Sequence, residues 1–170
     1  MVFESPAVVH TALDTIGKTP LKGLGRVVSE GHGQVFLKLE GYNPTGSCED
    51  RMIKSMIEEA ERWGDLRPGM TIVEATAGNT GSSLAFVSAV KNYKFQVVSS
   101  NAFAVEKLRT IQAFGVTVDL IESPSGMITT DLIPSMRSRA KKKLPKMTIT
   151  ITATSLPTEK LLSAMAHELI

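Results

Sequence analysis

From Thr71 onward the chain alternates between short apolar segments and helical ones, and this alternation constrains the fold more than any other feature of the sequence. The alternation predicts four strands with three helices between them: strands at 71–76, 95–99, 116–121 and 147–154, and helices at 80–90, 104–114 and 129–142. Strand, helix, strand at these spacings is typical of βαβ units with right-handed crossovers. The last strand alternates Thr and Ile, which predicts one wetter face, as at a sheet edge. We therefore expect an α/β fold in three layers, a parallel sheet of about four strands flanked by helices.

The two ends of the chain are less regular. Residues 34–40 are predicted to form a strand and residues 50–63 a helix with one apolar face. We divide the chain into an N-terminal segment (1–45), an α/β domain (46–155) and a C-terminal helix (156–170). The last thirteen residues carry an apolar stripe, which either docks on the chain's own domain or needs a partner surface: Leu161, Leu162, Met165 and Leu169.

Composition excludes several classes of protein. The formal net charge of +2 gives no reason to expect nucleic acid or an anionic membrane as a partner. No apolar run approaches the roughly 18 residues that span a bilayer, and residues 1–6 do not resemble a signal peptide. One cysteine, Cys48, excludes an internal disulfide, and the three histidines lack metal-ligand spacing. We expect a cytoplasmic protein without a metal site.

A loop at 76–81, reading Thr-Ala-Gly-Asn-Thr-Gly, joins a predicted strand to a predicted helix. Open α/β sheets bind ligands at the carboxyl ends of their strands. The helix that follows offers free N–H groups and the positive end of its dipole, which suit a carboxylate or a phosphate. The run contains neither a Gly-x-Gly-x-x-Gly fingerprint nor a P-loop. The loop alone therefore indicates anion binding without identifying the ligand.

Other segments make the pattern specific. Residues 43–51 read Asn-Pro-Thr-Gly-Ser-Cys-Glu-Asp-Arg, and residues 16–21 read Ile-Gly-Lys-Thr-Pro-Leu. Residues 106–109 read Glu-Lys-Leu-Arg and are followed by Ala-Phe-Gly-Val at 113–116. Together with the 71–81 run, and in the same order, these segments resemble the fold-type II pyridoxal-phosphate (PLP) enzymes, and cysteine synthases most closely.

The resemblance implies a role for each residue of the second loop. Asn79 would hydrogen-bond the ring oxygen of PLP, and the carboxylate of an amino-acid substrate would lie in a cradle formed by Thr76, Ala77, Gly78 and Thr80. Ala77 stands where the family usually has Ser, which removes one hydroxyl donor. A conformational role for Asn79 stays open, because Asn tolerates a left-handed turn.

Glu49 stands where the resemblance places the Schiff-base lysine. That lysine is the covalent anchor and then the proton shuttle, and a carboxylate cannot form an imine. A glutamate at a helix start is favoured by the helix dipole, and it could also act as a general base. Neither Lys54, about 140° further round the helix at roughly 100° per residue, nor Lys38, a solvated or ion-paired strand residue, is expected to replace the lysine. No catalytic residue is therefore predicted to be intact.

The thiol of Cys48 lies beside the same helix start, where the acidity of a cysteine can rise. The side chain is therefore either a redox-sensitive thiol or a small apolar filler.

The 170 residues contain no Gly-Thr-Gly-Gly-Thr run, which the resemblance uses as a phosphate loop, and no hydroxyl partner for the pyridine nitrogen. One hydrogen bond contributes about 0.5–1.5 kcal/mol net. Association costs several kcal/mol of lost translational and rotational freedom, so Asn79 alone cannot hold the cofactor. We expect PLP to bind weakly or not at all, and the chain by itself to be inactive.

Three functions follow as hypotheses. The chain is a shortened cysteine-synthase-like protein without PLP chemistry of its own, a pseudoenzyme module that docks on an intact homologue, or half of a split PLP enzyme that makes cysteine. An amino-acid substrate is expected only if the pocket is completed. The segment 1–45 would pair with a larger domain in the family, so we expect it to be loosely packed or exchanged in a homodimer.

Overall fold

The computed structural model describes residues 8–26, 28–29, 31–76, 78–143 and 148–149. These residues form four α-helices, which are α1 (Glu49–Arg62), α2 (Asn79–Val90), α3 (Val105–Ala113) and α4 (Leu132–Lys142). They also form six strands, which are β1 (Leu21–Gly23), β2 (Phe36–Lys38), β3 (Thr71–Ala75), β4 (Lys94–Ser100), β5 (Thr117–Ile121) and β6 (Thr148–Ile149). Within these ranges, no helix is long and apolar enough to cross a membrane.

Four of the strands form one parallel sheet in the order β5-β4-β3-β6. Thr71 of β3 lies opposite Lys94 of β4, and Gln96 of β4 lies opposite Thr117 of β5. The two residues of β6 pair with the start of β3, which places β6 at an edge of the described sheet. The predicted α/β fold with a parallel sheet is confirmed, whereas the wetter face predicted for the last strand stays a prediction, because most of that strand lies outside the described residues.

Helices cover both faces of the sheet. Consecutive strand residues point to opposite faces, so neighbouring residues of one strand pack against different helices. Val97 belongs to a core cluster with residues of α1, α2 and α3, whereas its neighbour Val98 belongs to a second cluster with residues of α4. The predicted three layers follow from these two clusters. Helix α2 is buried from Gly81 to Ser88, as its apolar and small residues predict.

The N-terminal segment has two parts that pack differently. Leu13 and Ile16 are buried in the first core cluster. The strands β1 and β2 form an antiparallel hairpin in which all six residues are exposed. The hairpin replaces the longer strand predicted at 34–40, and β1 was not predicted at all.

Most helix and strand boundaries agree with the predicted ones within one or two residues. Helix α4 begins three residues later than predicted, at Leu132. Pro134 then stands in its first turn, where the missing N–H costs no intrahelical hydrogen bond. The predicted C-terminal helix 156–170 lies outside the described residues, as does most of the predicted strand 147–154.

Candidate active site

The two loops singled out in the sequence each lead directly into a helix. Glu49 is the first residue of α1, and Asn79 is the first residue of α2. The hydroxyl of Ser83 in α2 donates to the carboxylate of Asp50 in α1 at 2.5 Å. The structure therefore brings the two helix starts together, as the family resemblance requires.

The carboxylate of Asp50 connects these two helix starts. Asp50 is completely buried, and it accepts hydrogen bonds from the N–H of Thr45 at 2.8 Å and from its hydroxyl at 2.5 Å. Together with the bond from Ser83, three donors surround one charge. Hydrogen bonds to a charged group stabilise by about 1.5–3 kcal/mol each. This network fixes the loop before α1 against α2.

A second network surrounds Glu40. The guanidinium of Arg51 donates to both carboxylate oxygens of Glu40, at 3.0 and 3.1 Å, and to the hydroxyl of Thr19 at 2.9 Å. The hydroxyl of Thr19 donates to Glu40 in turn. The hydrogen bonds from Arg51, with smaller contributions from Thr19 and Asn43, lower the pKa of Glu40 to about 2.

Asn43 joins the same network to the chain's beginning. Its side chain is buried, and its Oδ1 accepts a hydrogen bond from the N–H of Gly17 at 2.9 Å. Its Nδ2 donates to the carboxylate of Glu40 at 3.0 Å. Lys38 also belongs here, because its Nζ donates to the carbonyl of Thr19 at 3.0 Å and lies 3.9 Å from Glu40. Lys38 is thus the ion-paired strand residue that was one of its two predicted roles.

Glu49 itself is half-buried, and its carboxylate turns back onto its own loop. The hydroxyl of Ser47 donates to Oε2 of Glu49, and the N–H of Glu49 donates to the oxygen of Ser47 at 3.3 Å. The positive end of the α1 dipole favours the negative charge there. The side chain is a satisfied carboxylate at a helix start, with no capacity to form an imine.

Cys48 was open to two interpretations from the sequence, a redox-sensitive thiol or a small apolar filler. The thiol is free and exposed, and it donates to Oε2 of Glu49 at 3.4 Å. Loss of hydration at the sulfur, and then the neighbouring carboxylate of Glu49, raise the pKa of Cys48. Both effects disfavour the thiolate and therefore argue against an activated thiol at this helix start. An exposed side chain also contributes little packing as an apolar filler.

The second loop is more open. The N–H of Thr76 continues the ladder of β3 by donating to the carbonyl of Val98 at 3.1 Å, and Gly78 precedes α2 without any side-chain cap. A Cβ added at Gly78 would meet nothing within 4 Å. Of the predicted cradle, Thr76, Gly78 and Thr80 lie half-buried at the carboxyl end of β3 and the start of α2, with Asn79 between them. Ala77 lies outside the described residues.

Two residues at this second loop were not identified from the sequence. Lys107 of α3 donates from Nζ to Oδ1 of Asn79 at 2.6 Å. The run that contains Lys107 is part of the family resemblance, but spacing alone does not show which of its basic side chains turns toward the loop.

Glu74 of β3 is the other missed residue, and it is only 3% exposed. One of its carboxylate oxygens accepts from the N–H of Ala75 at 3.0 Å, whereas Oε2 has no hydrogen-bond partner among the described residues. Burial raises the pKa of Glu74 to about 8. One glutamate in an otherwise apolar strand does not show from the sequence whether its side chain is buried.

The described residues fit PLP only in part. With Oδ1 of Asn79 turned to Lys107, the Nδ2 donor is left for an oxygen of a ligand, and Gly78 leaves space beside it. At Glu49 the donor set does not fit, because the covalent anchor requires an amine. In the part of the chain that the structure describes, no group of three or more His, Cys, Asp or Glu could hold a metal ion.

Comparisons with known proteins agree with this arrangement. Residues 12–147 match the family model described as pyridoxal-phosphate dependent enzyme. Cysteine synthase B of Escherichia coli is 40% identical over 137 residues, which are 80% of this chain and 45% of that protein. O-ureido-L-serine synthase of Streptomyces lavendulae is 44% identical over 106 residues, which are 62% of this chain and 32% of that protein.

Among solved structures, cysteine synthase from Entamoeba histolytica superimposes with a TM-score of 0.76 at 30% identity. The match covers 89% of this chain and 46% of that one. The chain thus spans less than half the length of these relatives. Family model, relatives and fold agree, and the chain belongs to the pyridoxal-phosphate dependent enzyme family, close to the cysteine synthases.

Proposed function

We propose that this chain is a cysteine-synthase-like protein whose 170 residues do not carry out PLP-dependent β-replacement by themselves. The observation that carries the proposal is the carboxylate of Glu49 at the first position of α1, hydrogen-bonded by Ser47. The family resemblance places the amine that anchors PLP at this position. A carboxylate accepts protons but does not form the covalent bond.

The second loop supports a ligand site without an anchor. When bound, PLP supplies an electron sink for carbanion chemistry. Asn79 would donate to its ring oxygen, and Thr76, Gly78 and Thr80 at the start of α2 would receive a substrate carboxylate. These contacts are few and neutral, so PLP would bind weakly or not at all. The names of the relatives, cysteine synthase and O-ureido-L-serine synthase, support an amino acid as the substrate class.

A second candidate function is docking on another protein. The hairpin of β1 and β2 exposes an apolar surface, with Leu21 66%, Phe36 59% and Leu37 50% exposed. Exposed strand edges are templates for pairing with another chain. We propose an intact homologue or a second copy of this chain as the partner, in the cytoplasm. The split-enzyme alternative requires that the partner also supply the phosphate contacts.

An assay for cysteine formation tests the main proposal. The chain is incubated with PLP, an O-activated serine and sulfide, first alone and then with cysteine synthase B of Escherichia coli as the probe homologue. We expect no cysteine from the chain alone, and cysteine formation by the purified chain would overturn the proposal.

Binding to the same probe homologue separates the alternatives. Binding without a new absorbance band on this chain supports the docking module. PLP retained in the mixture beyond the amount that the homologue holds by itself supports the split enzyme, with the amine supplied by the partner. The hairpin variant Leu21→Ser/Phe36→Ser is the matched control, and it should lose binding because the apolar contact area is removed.

A further inference from the structure

Lys107 reaches the candidate site from a third element, since Asn79 begins α2 and Lys107 lies in the second half-turn of α3. Its Nζ is 2.6 Å from Oδ1 of Asn79, a distance typical of a charge-assisted hydrogen bond. Lys107 is half-buried, so its ammonium is partly shielded from water. The contact is therefore well suited to hold the Asn79 side chain in one orientation.

The chemistry of the two side chains decides what that orientation is. A lysine ammonium has three donors and no acceptor, so only the oxygen of the Asn79 amide can face it. The two donors of Nδ2 must then point elsewhere. An amide in the reversed orientation would place N–H groups against the ammonium and leave its carbonyl for the ligand. Lys107 thereby excludes one of the two amide orientations.

We propose that Lys107 is a positioning residue that fixes the Asn79 amide with its Nδ2 donor toward the ligand, so that the loop selects a hydrogen-bond acceptor. This inference rests on the proposed function of the loop as a ligand site. The positive charge of Lys107 adds a second preference, because it favours an ionised oxygen over a neutral one. A ligand with a phenolate-like ring oxygen satisfies both preferences, and one without that oxygen satisfies neither.

The first test needs no ligand. The side-chain amide signals of Asn79 are assigned by NMR in the full chain and in the variants Lys107→Met, Lys107→Arg and Arg109→Met. Lys107→Met should shift these signals, and the Nδ2 protons should no longer show contacts from one amide orientation alone. Lys107→Arg should keep both the signals and the contacts close to those of the wild-type chain. Arg109→Met, an exposed charge on the same helix, should leave them unchanged. Unchanged Asn79 signals in Lys107→Met would overturn the proposal.

The second test measures ligand selection. PLP and an analogue without the ring hydroxyl are titrated into the Glu49→Lys protein, which regains an amine, with and without Lys107→Met. Removing Lys107 should weaken PLP binding roughly five- to tenfold, the value of one lost hydrogen bond, and leave the analogue unchanged. Equal losses for both ligands would contradict the positioning role.

If no variant binds PLP, the proposed ligand site fails, while the NMR comparison still decides the orientation of Asn79. The two claims therefore fail separately.

Discussion

The starts of helices α1 and α2 are neighbours in space, yet the carboxyl groups near them are hydrogen-bonded very differently. Near the start of α1, Asp50 has three donors, and Glu40 is held by Arg51, Thr19 and Asn43. Before α2, Glu74 keeps one oxygen without a partner among the described residues, and Gly78 has open space beside it. The first loop is held in place by hydrogen bonds, whereas the second leaves polar groups and open space available for a ligand.

Glu49 differs from the carboxylates that hold the first loop in place. Glu49 contacts Ser47 and Cys48, and it takes no part in the networks of Asp50 and Glu40. Among the described residues, the two networks therefore form around a residue that does not contribute to them and cannot form an imine. A change at position 49 should alter chemistry much more than stability.

The largest expected effect is on the hydrogen-bond network of Asp50. Asp50→Ala should lower the free energy of unfolding by about 4 kcal/mol, because it leaves the donors of Thr45 and Ser83 buried without an acceptor. Denaturant unfolding measures the loss. Glu122→Ala, which removes an exposed carboxylate, is the control and should change stability by less than about 0.5 kcal/mol. Equal losses in the two variants would mean that the Asp50 network does not hold the first loop in place.

The carboxyl of Glu74, whose Oε2 has no hydrogen-bond partner among the described residues, should make stability fall as pH rises. Its pKa is about 8 in the folded protein against 4.5 for an ordinary glutamate, so the unfolded chain releases the proton first. The contribution is fully present below about pH 4.5 and is lost as pH rises through about 8. The positive charge of Arg137 lowers the pKa of Glu74 and is already included in this value.

Urea unfolding across this pH range, for wild type and Glu74→Gln, measures the effect. The Gln variant should show a flatter dependence, because it has no proton to lose. Parallel curves for the two proteins would show that Glu74 has a partner in solution.

Glu40 should show the opposite dependence, with a smaller effect. Its folded pKa of about 2 lies below the ordinary 4.5, so its contribution is present above about pH 4.5 and is lost as pH falls through about 2. Arg51→Met should cost about 2 kcal/mol at neutral pH and move acid unfolding to higher pH. Lys54→Met, on the same helix, is the matched control. An unchanged acid transition in Arg51→Met would show that Arg51 does not stabilise the charge of Glu40, and the difference between the two helix starts would then not hold.

Much of the fold could be predicted because its signals are local. The strands at Thr71–Ala75 and Lys94–Ser100 and the helices after them follow from apolar periodicity. The strand Leu21–Gly23 could not be predicted, because three exposed residues carry no periodic pattern and are ordered only by pairing with distant Phe36–Lys38. Propensity and pattern do not encode such long-range pairing.

The candidate site divides in the same way. Glu49 and Asn79 were identified because they stand at fixed places in recognisable loops. The contact of Lys107 with Asn79 depends on how α3 packs beside α2, and the burial of Glu74 depends on which elements cover the sheet around it. The raised pKa of Cys48 could not be predicted from the sequence, because it depends on how much hydration the sulfur loses and on the direction in which the Glu49 carboxylate turns.

We propose that Glu49 removes the covalent anchor for PLP from this chain, whereas the hydrogen-bond networks of Asp50 and Glu40 still fix the loop around it. The most direct measurement is a PLP titration of the full chain and of its Glu49→Lys variant, followed by borohydride reduction and mass analysis of the modified peptide. We predict no imine band for wild type, and for the variant a band that reduction fixes at residue 49. A wild-type chain that forms the imine and retains PLP after reduction would contradict the account.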